Sequence, residues 1–182
     1  MGSLGTVLAS PKASGGWSLN GKVALITGAG RGLGAGLAIM LAERGAAVVI
    51  NYASSAKAAM SVVEQIEKNG GKAVAIQANV SKTPEVTKLF EQAIAHFGRL
   101  DIVINNSGTE AFSAEEDVTE ELYDHVFNLN TRAQFFVGQH ALKHLSSKFS
   151  SPGNIVAQLI KSAAQMVAAS SSCHPLPPTC PA

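Results

Sequence analysis

A glycine-rich segment near the start of the chain most narrows what it can fold into. Residues 27–34 read TGAGRGLG and follow the short apolar run VALI at 23–26. Such a run, ended by glycines, is typical of a buried parallel strand followed by a tight turn. Periodic apolar residues predict a helix over 33–44, which ends at Gly45. Because a helix N-terminus and a glycine turn bring backbone N–H groups close to a phosphate, we predict a phosphate-binding turn. A glycine-rich turn without a ligand is the alternative.

Strand and helix patterns alternate along the following hundred or so residues. Strands are predicted at 47–51, 73–78 and 100–104, and helices at 56–69, 83–97, 119–127 and 131–145. In the helix at 83–97, Thr83 is predicted to cap and Pro84 to occupy the first helical position. Alternating elements indicate a parallel sheet covered by helices on its faces. The sequence therefore predicts an α/β fold, a Rossmann-type doubly wound parallel sheet that is incomplete, with its first four strands and flanking helices.

Length and composition indicate one globular domain. The chain has 182 residues, of which 46% are hydrophobic and 15% charged. We expect a flexible arm at 1–20, the domain at 21–149 and an irregular tail at 150–182. A net charge of +1 predicts neither a nucleic-acid nor a membrane partner. The chain has no apolar run long enough to span a bilayer and no secretory signal pattern, so we expect a cytoplasmic protein. Its histidines form no metal-binding pattern such as H-E-x-x-H, so we expect no metal site. The opening MGSLGT fits either N-myristoylation or a flexible Gly/Ser-rich leader.

The end of the second predicted strand indicates which dinucleotide would bind. A site that prefers NAD usually places Asp or Glu here, to bind the ribose hydroxyls. The chain instead reads Asn51-Tyr52-Ala53-Ser54-Ser55, without an acid. Arg31 in the glycine turn is placed to meet a 2′-phosphate, to which either Ser54 or Ser55 can donate a hydrogen bond. We therefore expect NADP(H) rather than NAD(H). A solvent-facing role for Arg31 is the alternative.

The glycine spacing T-G-x-x-x-G-x-G, together with Asn105-Asn106-Ser107-Gly108 after the fourth strand, resembles the short-chain dehydrogenase/reductase family. Longer segments within 21–149, including VINYASS, QANV and DVTEELYDHVFNLNTRAQFFV, resemble fungal polyketide reductases of the polyhydroxynaphthalene and versicolorin type. This resemblance implies NADPH-dependent reduction of an aromatic small-molecule carbonyl in secondary metabolism. It also implies homo-oligomers, which the family forms through the helix matching 131–145 and a following helix; the sequence shows no pattern for the second helix, which argues against oligomers of this chain.

The motif spacing and the family resemblance together predict a set of site residues. The predicted cofactor-binding residues are Gly28, Arg31, Gly32, Leu33, Gly34, Asn51, Tyr52, Ser54, Asn79, Val80, Asn106, Ser107 and Gly108. The resemblance implies that Asn79 and Val80 lie beside the adenine and that residues 106–108 line the cofactor cleft. It also implies that Asn130 is the active-site asparagine, which holds a helix kink and a proton-relay water. A simple helix cap is the alternative for Asn130.

The Tyr-x-x-x-Lys pair that the family uses for proton transfer is absent from the sequence. A lysine must lower the pKa of the tyrosine, since a phenol near pKa 10 is a poor acid at neutral pH. The only tyrosines are Tyr52 and Tyr123, and the residues four positions later are Ala56 and Phe127. We therefore expect a C-terminally truncated, inactive member of the family. A non-catalytic NADP-binding fragment, or an interaction partner of full-length homologues, is the alternative.

The tail ends in SSSCHPLPPTCPA, which fits neither a strand nor a helix pattern. Codons that can encode residues 168–182, read one frame over, permit a sequence similar to the family's fifth strand and catalytic-serine segment. An out-of-frame tail, caused by an unspliced intron or a gene-model error, is therefore our interpretation. A genuine Pro/Ser-rich disordered tail is the alternative.

Overall fold

A computed structural model of the chain describes residues 18–145 and the backbone of residues 155–158. Its strands are β1 (Val23–Ile26), β2 (Ala47–Tyr52), β3 (Lys72–Gln77), β4 (Ile102–Asn105) and β5 (Ile155–Gln158). They form a five-stranded sheet in the order β3-β2-β1-β4-β5, and every pair is parallel. The chain reverses its direction of winding between β1 and β4, the point at which doubly wound sheets bind ligands. The predicted Rossmann-type fold is confirmed.

Helices cover both faces of this sheet. They are α1 (Gly32–Glu43), α2 (Ala56–Lys68), α3 (Thr83–Phe97), α4 (Glu120–Phe127) and α5 (Gln134–Leu145). A 3-10 turn (Glu115–Asp117) precedes α4, and a π-helical segment (Asn128–Ala133) joins α4 to α5. Alternate residues of β1 point to opposite faces: Ala24 and Ile26 pack with α1 and α2, whereas Val23 and Leu25 pack with α3 and α5. Both faces of β1 are therefore buried, which explains its uninterrupted apolar sequence.

The fifth strand adds to the predicted four. With four strands, β4 would have a free edge unless residues 155–160 covered it. Strand β5 does so, pairing in parallel with β4 from Ile102↔Ile155 to Asn105↔Gln158. It lies inside the segment predicted to be irregular, so that prediction is wrong for residues 155–158. The remainder of the tail, including its proposed frame, lies outside the described residues.

The N-terminal boundary and one helix cap also differ from the prediction. Leu19, assigned to the arm, is buried in the core, and its N–H donates to the Arg44 carbonyl at 2.8 Å. The domain therefore includes residues 18–20, while residues 1–17 lie outside the described part. Helix α3 has Lys82 as its N-cap and no side-chain cap, so Thr83 lies inside the helix and the predicted cap is wrong. Among residues 18–145 and 155–158, no helix has the length and apolar character needed to cross a membrane.

Candidate functional site

A cavity of about 450 Å³ follows the carboxyl ends of β3, β2, β1 and β4. All of the predicted cofactor-binding residues line it: Gly28, Arg31, Gly32, Leu33, Gly34, Asn51, Tyr52, Ser54, Asn79, Val80, Asn106, Ser107 and Gly108. They come from four separate loops, and the parallel order of the strands brings those loops to one edge. A second cavity of about 540 Å³ lies along α4 and the π-helical segment, and none of these residues lines it. The first cavity is therefore the candidate site.

The glycine turn has the geometry expected of a phosphate-binding turn. Gly32 has φ +57°, and a Cβ added there would meet no atom within 4 Å, because the position opens into the cavity. A side chain at this position would both strain the backbone and project into the space for a ligand. Helix α1 begins at this residue, its N-cap Arg31 makes no side-chain cap hydrogen bond, and its first turn contains no acid. The first N–H groups of α1, which lack intrahelical partners, therefore border the cavity.

Asn51 lines the cavity, and its predicted contact with the cofactor stays a prediction. Its side chain is buried, with 1% of its surface exposed. Its Oδ1 accepts from the Gly28 N–H at 3.3 Å, and its Nδ2 donates to the carbonyls of Ile76 at 3.3 Å and Ala78 at 3.0 Å. The amide is thus engaged with the protein at both ends. Through these hydrogen bonds Asn51 connects the glycine turn to the end of β3 and fixes the positions of both at the cavity.

Thr27 and Asn106 hold the loop that follows β4. The Thr27 Oγ1 accepts from the N–H groups of Asn106 at 2.9 Å and Ser107 at 3.0 Å. In return, the Asn106 Nδ2 donates to the Thr27 carbonyl at 2.9 Å and to the Gly28 carbonyl at 3.3 Å. These hydrogen bonds join the carboxyl ends of β1 and β4, so the glycine turn and the loop have a fixed separation.

Asn130 lies in the π-helical segment and is buried. Its Oδ1 accepts from the Thr109 N–H and its Nδ2 donates to the Thr109 carbonyl, both at 2.8 Å. The helix irregularity expected around Asn130 is present, and the residue lies inside a helical segment rather than at a cap. Asn130 does not line the cavity; it fixes Thr109, which does. Its catalytic role stays a prediction.

The loop between β3 and α3 forms the far wall of the cavity. Val80 is buried, and Asn79 accepts the Ser81 N–H on its Oδ1 at 3.0 Å. The Asn79 N–H donates to the Glu85 carboxylate at 2.7 Å, and Lys82 pairs with the same carboxylate at 3.2 Å. The hydrogen bond from Asn79, followed by that from Lys82, lowers the pKa of Glu85. The carboxylate is therefore ionised at neutral pH and orders this wall.

The lining of the cavity suits an anionic ligand that also carries apolar groups. Among the lining residues that the structure describes there is no Asp or Glu, and Arg31 provides a permanent positive charge. Leu33 is 61% exposed at the cavity edge and supplies apolar surface there.

Sequence reasoning missed several lining residues. Gly30, Ala53, Ala78, Thr109, His125 and Leu129 also border the cavity. The lining residues next to a predicted motif could have been inferred from that motif. His125 and Leu129 were not, because they come from α4 and the π-helical segment, and only the folding of these elements over the sheet brings them to the cavity.

Comparison with known families agrees with this geometry. A family profile described as "short chain dehydrogenase" matches residues 22–172. A hydroxynaphthalene reductase-like protein of Metarhizium robertsii is 64% identical over 128 residues, which cover 70% of this chain and 48% of that protein. A probable tetrahydroxynaphthalene reductase of Zymoseptoria tritici is 59% identical, and elsinochrome reductase 1 of Elsinoe fawcettii 58%, with the same coverage. The chain thus spans about half the length of the curated relatives it matches.

Solved structures share the fold. A short chain dehydrogenase from Burkholderia cenocepacia in complex with NADP is 40% identical, with a TM-score of 0.67 over 69% of this chain and 51% of that one. A short-chain dehydrogenase/reductase from Serratia marcescens is 37% identical, with a TM-score of 0.68 over 70% of this chain and 52% of its own. The likeness therefore covers the described domain and about half of each neighbour.

Proposed function

The chain belongs to the short-chain dehydrogenase family, and from that premise we propose that it is the NADP(H)-binding part of a reductase for aromatic carbonyl compounds. The observation that carries the proposal is the gathering of four separate loops, each with predicted cofactor residues, around one cavity. The names of the relatives, which include hydroxynaphthalene and elsinochrome reductases, support the substrate class.

The turn at the start of α1 fits a pyrophosphate. The first N–H groups of the helix, at residues 32–34, border the cavity, and a helix N-terminus favours negative charge. The open space at Gly32 leaves room for close approach of the phosphates to the backbone. No carboxylate among the described lining residues would repel them.

The ends of β2 and β3 fit the adenosine half. Arg31 and Ser54 line the cavity in the loops after the paired strands β1 and β2, and would bind a 2′-phosphate. No acid is present among the described lining residues to bind a ribose diol. Val80 and Leu129 provide apolar surface for the adenine ring. These features support NADP(H) over NAD(H).

Catalysis needs more than the described residues supply. Bound NADPH supplies a hydride, and the carbonyl oxygen then needs a proton donor of suitable pKa. Tyr52 lies at the adenosine end of the cavity, and Tyr123 is 47% exposed on α4 outside the cavity lining. Neither has a lysine at the family spacing. We therefore expect this 182-residue chain to bind NADP(H) without reducing a carbonyl. The alternative, a non-catalytic NADP-binding fragment or an interaction partner of full-length homologues, gives the same result with this chain.

Titration with NADPH, followed by its fluorescence, tests the binding proposal. We expect saturable binding by the wild-type chain and weak or no binding by Gly32→Ala. Gly98→Ala is the matched control, because Gly98 also has a positive φ and open space where a Cβ would lie, but is outside the cavity lining. Both variants carry similar backbone strain, of about 1–2 kcal/mol. Equal affinity of the two variants would contradict the assignment of the turn.

A turnover assay tests the catalytic half of the proposal. NADPH oxidation is followed with a hydroxynaphthalene-type ketone, and this chain is compared with a full-length family member as the positive control. We expect no turnover above background. Sustained turnover by this chain would show that the Tyr–Lys pair is dispensable here.

A further inference from the structure

Two buried side chains from one helical stretch hold the loop after β4. Asn130 and Gln134 lie four residues apart and are 3% and 2% exposed. Asn130 bonds both backbone groups of Thr109, and the Gln134 Nε2 donates to the Ser107 carbonyl. The backbone carbonyl of Gln134 also accepts from the Asn105 Nδ2 at 2.8 Å. Gln134 therefore links α5, the end of β4 and the loop.

The orientation of the Gln134 amide follows from its partners. Reversing it would place Oε1 against the Ser107 carbonyl oxygen, two acceptors with no proton between them. In the observed orientation, Oε1 is buried and has no hydrogen-bond partner among the described residues. An unpartnered buried acceptor destabilises a fold, so an apolar side chain of similar size would suit a purely structural role better. The Gln134 amide therefore serves to hold the loop after β4 in position and not to stabilise the core.

The strand order indicates which half of a dinucleotide the loop would meet. Strands β2 and β3 lie on one side of β1, and β4 lies on the other. The cavity lining runs from Ser54 and Val80 on the first side to Ser107 and Thr109 on the second. With the adenosine half over β2 and β3, the nicotinamide half extends over the end of β4.

We propose that Gln134 is a positioning residue that fixes the Ser107–Thr109 loop for the nicotinamide half of NADP(H). This inference rests on the proposed cofactor. Gln134 touches no ligand itself, because it does not line the cavity. It acts through the carbonyl of Ser107, whose neighbours on the loop form the cavity wall.

The test compares two ligands and two matched variants of the whole chain. NADPH contains both halves of the dinucleotide, and 2′-phospho-ADP-ribose lacks the nicotinamide. We expect Gln134→Leu to weaken NADPH binding about fivefold or more and to leave 2′-phospho-ADP-ribose binding unchanged. A change of about fivefold in affinity corresponds to the net contribution of one hydrogen bond. Gln139→Leu makes the same substitution at an exposed position of α5 and should affect neither ligand. Thermal unfolding by circular dichroism checks that each variant is folded.

Each outcome decides the inference. Equal weakening of both ligands by Gln134→Leu would mean a general distortion, and no weakening would mean no positioning role; either result overturns the inference alone. A wild-type chain that binds neither ligand would refute the proposed function itself. If Gln134→Leu does not fold, Gln134→Met replaces it, since its unbranched side chain keeps a similar length and loses the amide donor. The same selective loss is then expected, and its absence counts against the inference.

Discussion

Replacing Gly34 by alanine should destabilise the fold, although alanine is the better helix former. A Cβ at this position would lie 2.5 Å from the Asn106 Nδ2, 2.7 Å from the Gly28 carbonyl oxygen and 2.9 Å from the Ala29 Cα. Two of these three atoms belong to the backbone of the glycine turn, so they cannot move unless the turn moves. The third belongs to an amide that already donates to the Thr27 carbonyl at 2.9 Å. The methyl group therefore has to displace the turn or break that hydrogen bond.

The magnitude follows from three contributions. Overpacking of a tight contact costs about 1–3 kcal/mol, and loss of the Asn106 hydrogen bond costs about 1 kcal/mol. The helix propensity of alanine opposes both by about 1 kcal/mol. We expect the free energy of unfolding to fall by about 1–3 kcal/mol.

Urea unfolding followed by circular dichroism measures this change, with Gly36→Ala as the control. Gly36 is an exposed residue of the same helix, and a Cβ there would meet nothing within 4 Å. The free energy of unfolding of that variant should rise by about 0.5–1 kcal/mol, from helix propensity alone. If Gly34→Ala were as stable as Gly36→Ala, the close packing of α1 on the glycine turn would be refuted.

Three further predictions concern charge, capping and specificity. The Asp101 carboxylate is buried, which opposes ionisation, but hydrogen bonds from Arg99 and from the Val23 N–H outweigh this and lower its pKa. The stability that this carboxylate contributes should therefore be complete above the pKa it has in the unfolded chain, and should be lost as pH falls below about 4. Asp101→Asn should lower the free energy of unfolding by about 1.5–3 kcal/mol at pH 7. The variant should also lose less stability than the wild type when the pH is lowered. Thr119→Ala removes the hydroxyl that caps α4 at 3.2 Å, and should lower the unfolding free energy by about 1 kcal/mol in urea titrations. Arg31→Ser should weaken NADPH binding about 10-fold or more and leave NADH binding nearly unchanged; equal losses in parallel fluorescence titrations would argue against a 2′-phosphate contact.

Most elements of the domain could be predicted because their signals are local. The apolar run at Val23–Ile26 and the amphipathic pattern of α3 place those elements within a residue or two of the observed bounds. The glycine turn was also readable, since a positive φ at Gly32 requires a residue that tolerates it. Thr83 misled the prediction for the same local reason: it has a capping residue type, but it is the first residue of α3, and Lys82 occupies the N-cap position.

The sequence by itself determined which residues carry the chemistry of a phosphate-binding turn and the strand–helix alternation that supports it. Only the tertiary structure decided which side chains face the cavity and which act from beneath it. Asn51 and Gln134 are both amides near motif residues, yet each makes hydrogen bonds with backbone groups more than 20 residues away in sequence. Such pairings depend on strand order and on the register of α5 across β4, and no local pattern encodes either. Propensity and periodicity act over a few residues, whereas a site at the ends of parallel strands is assembled from loops that only the folded sheet brings together.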